Sequence, residues 1–379
     1  MNLKIYLDNN ATTLIDPRVA AVMIENLNSP PENPSSIHFF GREAKNKLLK
    51  AREILANYLK AKPHEILFTS GGTESMNLLL KGLISPSSKP HILTSNIEHA
   101  CVENTLLDLQ SKGCEVTFLK AGLKGFVDVE EIEKAITPAT QFLVFGAVNS
   151  ETGVKIDLES LSRLAFQKQI PLLVDGVALL GKEPILLYPG ITGIGFSAHK
   201  CHGPKGVGFV FFRSKTFAPP LSPLLIGGGQ EYGFRSGTEN MMGILGLAKA
   251  IELLQEELDA SRKKMLLLRD RFEQALTTPM PFIQINGTGE RTCNVSNLCF
   301  PGVDAETLLI QLDLYKIAAS QGSACPSGAL EPSRVLIQMG LSPSLAKSSI
   351  RFSLSKFNTE EEIDTTVHLL KMLIPKLKS

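Results

Sequence analysis

The chain has 379 residues, 43% of them hydrophobic, and 39 lysines and arginines against 38 aspartates and glutamates, for a formal net charge of +1. That length accommodates two domains and a sizeable core, while the charge balance gives no electrostatic case for nucleic acid or an anionic membrane. No apolar run reaches the ~20 residues of a transmembrane helix, no signal-peptide core follows Met1, and six scattered cysteines without a CxxC pair suit a reducing compartment, so the expected location is the cytoplasm.

In chain order, Ile5-Tyr6-Leu7 is a short strand candidate followed by the turn-like Asp8-Asn9-Asn10-Ala11-Thr12-Thr13. Asn33-Pro34-Ser35-Ser36 reads as loop and residues 41–60 as an amphipathic helix. Strand-like runs are expected at 65–69, 91–95, 115–119, 141–148, 171–174, 193–196 and 207–212, with helical segments at 74–83, 102–111, 129–135 and 158–167 between most of them. Such alternation predicts an α/β fold: a mostly parallel seven-stranded sheet flanked by helices. From Met241 the texture changes. Ile244, Leu247, Ile251, Leu254, Leu258, Met265, Leu268 and Phe272 recur at helical spacing, which predicts a long helix linking two domains. Runs at 292–300, 305–313 and 359–373 then suggest a smaller α+β C-terminal domain. The expected boundaries are 13–256 for the large domain, and 1–12 together with 257–379 for the small one.

In an open α/β sheet, ligands bind outside the carboxyl ends of the strands, so the polar residues that follow each run should share one crevice. After 65–68 comes Thr69-Ser70-Gly71-Gly72-Thr73-Glu74-Ser75, a glycine-rich turn into a helix that suits a phosphate, although a plain helix cap has the same appearance. His99 follows the next run, Asn149-Ser150-Glu151 the run at 141–148, and Asp175 the run at 171–174. Ser197-Ala198-His199-Lys200 ends the run at 193–196, placing a lysine where burial lowers its pKa and makes it a nucleophilic amine. Taken singly, each residue has an ordinary structural reading. Together they suit pyridoxal 5′-phosphate (PLP): Lys200 for a Schiff base, Asp175 to hold the pyridine nitrogen protonated, His99 over the ring to move protons, and Gly72, Thr73, Ser197 and His199 for the phosphate. The stretch 319–332, rich in Gly, Ser and Pro, carries Cys325, an expected exposed nucleophile. The other five cysteines (101, 114, 201, 293 and 299) read as inert. Arg351, within Ser348-Ser349-Ile350-Arg351-Phe352-Ser353, is either a clamp for a substrate carboxylate or part of a salt bridge.

With these residues assembled, the chain resembles the cysteine desulfurases of the NifS/IscS type, within the class V aminotransferases of PLP fold type I. The resemblance runs nearly end to end, through residues 6–13, 33–36, 69–75, 98–99, 197–200, 203–206, 235–238, 322–325 and 348–353. It implies that Lys200 carries PLP and Asp175 pairs with the pyridine nitrogen. His99 would stack on the ring, and Thr73, Ser197 and His199 would bind phosphate. Thr238, and with it Arg235, would reach in from the second subunit of a homodimer. Arg351 and Asn149 would bind the substrate, L-cysteine, and Ser150 would lie near the 3′-oxygen of the ring. Cys325 would take up sulfur as a persulfide and leave alanine, and an acceptor such as an iron–sulfur scaffold protein would collect it. Two positions depart from the pattern: Ala178 stands where the family has Gln, and Ser150 where it has Asn. The alternatives are a β-lyase acting on selenocysteine or cysteine, and a weakly active paralogue that mainly docks partner proteins.

Overall fold

Strands buried on both faces need apolar side chains in both directions, and the central runs of this chain supply them. The computed structural model describes residues 4–31, 33–84, 89–213, 215, 217–322 and 331–378. Its elements are β1 (Ile5–Tyr6), α1 (Pro17–Leu27), α2 (Phe39–Leu59), β2 (Ile66–Thr69), α3 (Gly72–Gly82), β3 (His91–Ser95), α4 (Ala100–Ser111), β4 (Glu115–Leu119), α5 (Val129–Ala135), β5 (Thr140–Gly146), α6 (Leu158–Lys168), β6 (Leu172–Asp175), β7 (Ile191–Ser197), β8 (Gly208–Phe212), α7 (Met241–Thr277), β9 (Gln284–Ile285), β10 (Val295–Cys299), α8 (Ala305–Leu314), β11 (Ile317–Ala318), α9 (Arg334–Gln338), α10 (Pro343–Lys347), β12 (Ser349–Ser353) and α11 (Glu360–Leu377).

The expected seven-stranded sheet is present, in the order β2-β8-β7-β6-β5-β3-β4. Only β8 runs against its neighbours, pairing antiparallel with both β2 and β7. Its reversal follows from the short glycine-rich connection at 203–206, which is too brief for the crossover that a parallel partner requires. Side-chain alternation then divides the sheet between two apolar layers. Phe68, Leu143, Phe145, Leu172, Val174, Phe196 and Phe209 face α2, α6 and the first half of α7. Leu67, Phe142, Val144, Leu173 and Val210 face α3 and α4. The rings of Phe196 and Phe209 stack at 4.6 Å between centroids, and each such buried side chain contributes about 1.5–3 kcal/mol.

A second core lies apart from these, built from β9, β10, β12, α8, α11 and the far half of α7. Helix α7 serves both. Met241, Ile244, Leu247 and Ile251 belong to the first core, and Met265, Leu268, Phe272 and Leu276 to the second. The long helix expected from Met241 is therefore formed, with its apolar stripe changing core part-way along. Strand β1 joins the second core by pairing with β11. The chain then passes back towards the sheet, Asn9 N–H donating to Ser353 O and Thr13 N–H to His199 O.

Most elements fall where expected. The run expected at 141–148 ends as a strand at Gly146, because Val148 turns to pair with Lys155 in a tight loop. Helix α3 starts at Gly72 and α4 at Ala100, each two residues before the expected start, since Gly71 and His99 occupy the N-cap positions.

Candidate active site

The carboxyl ends of β2, β3, β5, β6 and β7 open on one cavity of about 440 Å³, whose floor and walls also include residues 8–11, Ser320, Gly322 and Arg351. That volume lies within the range of small-molecule and cofactor sites.

Lys200 ends a short 3₁₀ turn, Ala198–Lys200, that leaves β7. Its ammonium donates to Asn10 O and, at 3.0 Å, to Ala11 O. Burial pushes its pKa down to about 8, and the Arg351 guanidinium adds to the shift against the opposing pull of Asp175 and Asp8. His199, one residue earlier, is held by the Thr12 hydroxyl at 3.2 Å. Burial, with Lys200 and Lys205 nearby, pushes it down to about 4, so its imidazole is neutral at physiological pH.

Asp175 closes β6 and is 7% exposed. One of its carboxylate oxygens accepts the Val177 N–H at 3.0 Å. Burial raises its pKa, partly offset by His99 and Lys200, and among the described residues the carboxylate has no ion-pair partner. A buried carboxylate in that condition calls for a cation from a ligand. His99 caps α4, its Nδ1 accepting the Cys101 N–H at 3.1 Å.

At the other wall, Gly71 offers no side-chain cap to α3, so the amides of the first helical turn are left for an anion. Gly72, Thr73 and Ser197 line the cavity there. Glu74 points its carboxylate elsewhere, taking Arg235 Nε at 2.8 Å and the Ser70 N–H at 2.8 Å. Arg235 is thus engaged within its own chain. Thr238 is exposed and does not line the cavity of its own chain. These groups together fit pyridoxal phosphate: an amine of lowered pKa, a carboxylate lacking a cation and an anion seat, all on one cavity.

Arg351 sits at the centre of β12, 4% exposed. Its Nη2 meets Asp8 at 2.8 Å and its Nη1 donates to Ser150 O at 3.2 Å. The salt-bridge reading is therefore realised, but Nε is buried without a partner among the described residues. An edge of the guanidinium thus remains for a carboxylate. Asn149 lines the same wall, with its amide engaged by its own turn. It donates to Ile97 O at 3.1 Å and accepts the N–H groups of Glu151 and Thr152, each at 3.0 Å. Ala178 also lines the cavity and contributes no side-chain donor. Cys325 lies outside the described residues. Both flanks of its segment converge on Glu151: the Ser333 hydroxyl donates to its carboxylate, and a Cβ built on Gly322 would lie 2.9 Å from the same oxygen.

Three contributors were not legible in the sequence. The carbonyls of Asn10 and Ala11 carry no side-chain signal. Glu98 is buried beneath the cavity, accepting from Ser95 Oγ and from the Gly146 N–H at 2.7 Å, and burial raises its pKa to about 7. Cys101, read as inert, lines the cavity with its Sγ 3.1 Å from His99 Nδ1. Its place just past the end of β3 was the available clue.

A doubly wound sheet with this cavity at its carboxyl edge is the arrangement in which α/β proteins bind their ligands. The aminotransferase class-V family description matches residues 5–366. The chain is 41% identical over 379 residues to "Cysteine desulfurase 2" of Trichormus variabilis, covering 99% of this chain and 94% of that one. It is 38% identical to "Cysteine desulfurase IscS" of Dictyoglomus turgidum, covering 100% and 96%. Among solved structures, a "NIFS-LIKE PROTEIN" superposes with TM-score 0.91 at 36% identity, covering 99% of this chain and all of that one. A NifS-like protein from Rickettsia africae gives 0.87 at 30%, covering 98% and 100%. The chain belongs to the class V aminotransferase family, in its NifS/IscS-type branch.

Proposed function

We propose that this protein is a PLP-dependent cysteine desulfurase that converts L-cysteine and the Cys325 thiol into L-alanine and a Cys325 persulfide. In the balance, the Cβ–S bond of the substrate breaks, an S–S bond to Cys325 forms, and the substrate carbon gains a proton, so no outside oxidant or reductant is needed. Bound PLP supplies an electron sink for the substrate carbanion. Lys200, Asp175 and His99 are its catalytic and pyridine-side residues, and Gly72, Thr73, Ser197 and His199 hold its phosphate. Ser150 sits beside the ring, and Arg351 and Asn149 position the substrate carboxylate. The Nε of Arg351 and the neutral His199 support this assignment. Lys200, with its lowered pKa, releases and returns a proton near neutral pH.

The observation that carries the reading is the buried Asp175 carboxylate, without an ion-pair partner among the described residues, on the same cavity as the Lys200 amine, with the Ser333 flank of the Cys325 segment bonded to Glu151, which lines that cavity. Residues 13–256 are taken as the cofactor-binding domain, and residues 1–12 with 257–379 as the small domain that brings Arg351 and Cys325. A homodimer is part of the proposal, with Thr238 completing the partner's phosphate seat. It is supported by the exposure of Thr238 and of the apolar Ile226 and Ile37, 89% and 91% exposed. A sulfur-acceptor protein, such as an iron–sulfur scaffold, takes the persulfide sulfur. The cytoplasm is its expected location: among the described residues there is no disulfide and no helix long and apolar enough to cross a membrane. Purified protein incubated with PLP and L-cysteine should form alanine. Undiminished alanine formation by Cys325→Ala would remove the assigned role.

A further inference from the structure

Cys101 has no task in the proposed sulfur transfer, yet it lines the cavity two residues from His99. A ring nitrogen of His99, Cys101 Sγ and a carboxylate oxygen of Asp175 all lie within 4.8 Å of one another. Among the described residues, no other group of three His, Cys, Asp or Glu side chains is gathered in this way. The Nδ1 to Sγ separation is 3.1 Å, close to the N–S edge of about 3.5 Å in a zinc tetrahedron, and ligation through Nδ1 replaces the helix-capping bond that this nitrogen accepts from the Cys101 N–H. Small side-chain adjustments thus bring all three within bonding distance of one ion. Asp175 is already oriented from behind by the Val177 N–H at 3.0 Å, the kind of outer support that metal ligands need.

The donor set has the character of a zinc site: one imidazole, one thiol and one carboxylate, with a fourth position open to water. A thiolate and a carboxylate together cancel the dipositive charge, which matters in a cavity where Asp175 is buried and has no ion-pair partner among the described residues. We propose that His99, Cys101 and Asp175 form a zinc-binding site in the cofactor-free chain, and that zinc and PLP exclude one another there. The exclusion clause rests on the function proposed above, because it requires Asp175 to serve the pyridine nitrogen. Binding is a ligand exchange: the Cys101 S–H proton is released to solvent as the S–Zn bond forms, so affinity rises with pH.

The test uses the full-length chain freed of PLP, titrated with zinc against a chromophoric chelator, and with cobalt to detect a thiolate charge-transfer band. One tight equivalent per chain is expected, together with the cobalt band. Both should be lost or weakened at least ~30-fold in Cys101→Ser and retained in Cys325→Ser. Zinc should also raise the thermal midpoint of the parent and not that of Cys101→Ser, which separates lost ligation from misfolding. No tight equivalent, or a band that survives Cys101→Ser and vanishes in Cys325→Ser, overturns the site. Equal zinc uptake by PLP-loaded and PLP-free chain overturns the exclusion. Failure of PLP to give a visible band on the parent counts against the proposed function and its exclusion clause, while the zinc titrations on the cofactor-free chain decide the site by themselves.

Discussion

Cofactor capture by this chain should follow the protonation of one amine. Only the neutral form of Lys200 attacks an aldehyde. With its pKa pushed down to about 8, roughly a tenth of the chains present it at pH 7, against ~3 in 10,000 for a lysine at its ordinary value. Burial is the main cause and the Arg351 guanidinium the next. Arg351→Gln removes that cation and also leaves Asp8, its partner at 2.8 Å, free to favour the ammonium. Both changes act in the same direction, so the inflection should rise by roughly one unit. The assay mixes cofactor-free protein with PLP from pH 6 to 10 and follows the absorbance of bound cofactor, with a free alkylamine in parallel to remove the titration of the aldehyde itself. The parent rate should climb about tenfold per pH unit below 8 and then level off, and Arg351→Gln should level later. A parent rate climbing unbroken to pH 10, or an Arg351→Gln inflection that stays put or falls, would refute the reasoning.

Other consequences concern stability. The pKa of Glu98 is raised to about 7, so the folded chain holds a proton that the unfolded chain has given up. Its contribution is present below pH ~4.5 and disappears as pH rises through 7, a span of ~3 kcal/mol. Urea unfolding of Glu98→Gln should show a correspondingly smaller loss of stability between pH 5 and 7.5, and an identical loss would argue against a buried neutral carboxyl. A Cβ on Gly72 would lie 2.6 Å from Val177 Cγ2, so Gly72→Ala should cost about 1–3 kcal/mol and loosen the phosphate seat. Adding Val177→Ala should restore much of the thermal midpoint, and no rescue would place the cost elsewhere. Arg52 and Glu231 form a two-bonded ion pair with side chains 4% and 2% exposed. Glu231→Gln should therefore cost about 3–5 kcal/mol in thermal or urea unfolding, because it leaves the guanidinium buried without its counter-ion.

Local pattern was enough to identify the seven strands of the large sheet and most of the helices beside them, but not α1 or β12. Runs such as Phe142 to Phe145 and Leu172 to Val174 are apolar in both directions, and only a doubly covered strand uses them fully. The strand-end positions of Asp175, Ser197 and Lys200 made the cavity legible too, since a parallel sheet delivers its carboxyl ends to one edge. What the sequence left open depends on contacts between distant residues. The place of β8 between β7 and the far earlier β2 depends on pairing with a strand distant in the chain. The 3.0 Å bond from Lys200 to Ala11 O joins residues 189 positions apart, and backbone carbonyls leave no trace in residue type. Arg351 admitted two readings until β12 was placed against Asp8 and Ser150, where it carries an ion pair and an unpartnered Nε together. Cys101 and Glu98 took on chemical meaning only once burial and the neighbouring His99 and Asp175 were fixed. Burial and charge proximity are properties of the folded chain, and no local periodicity encodes them.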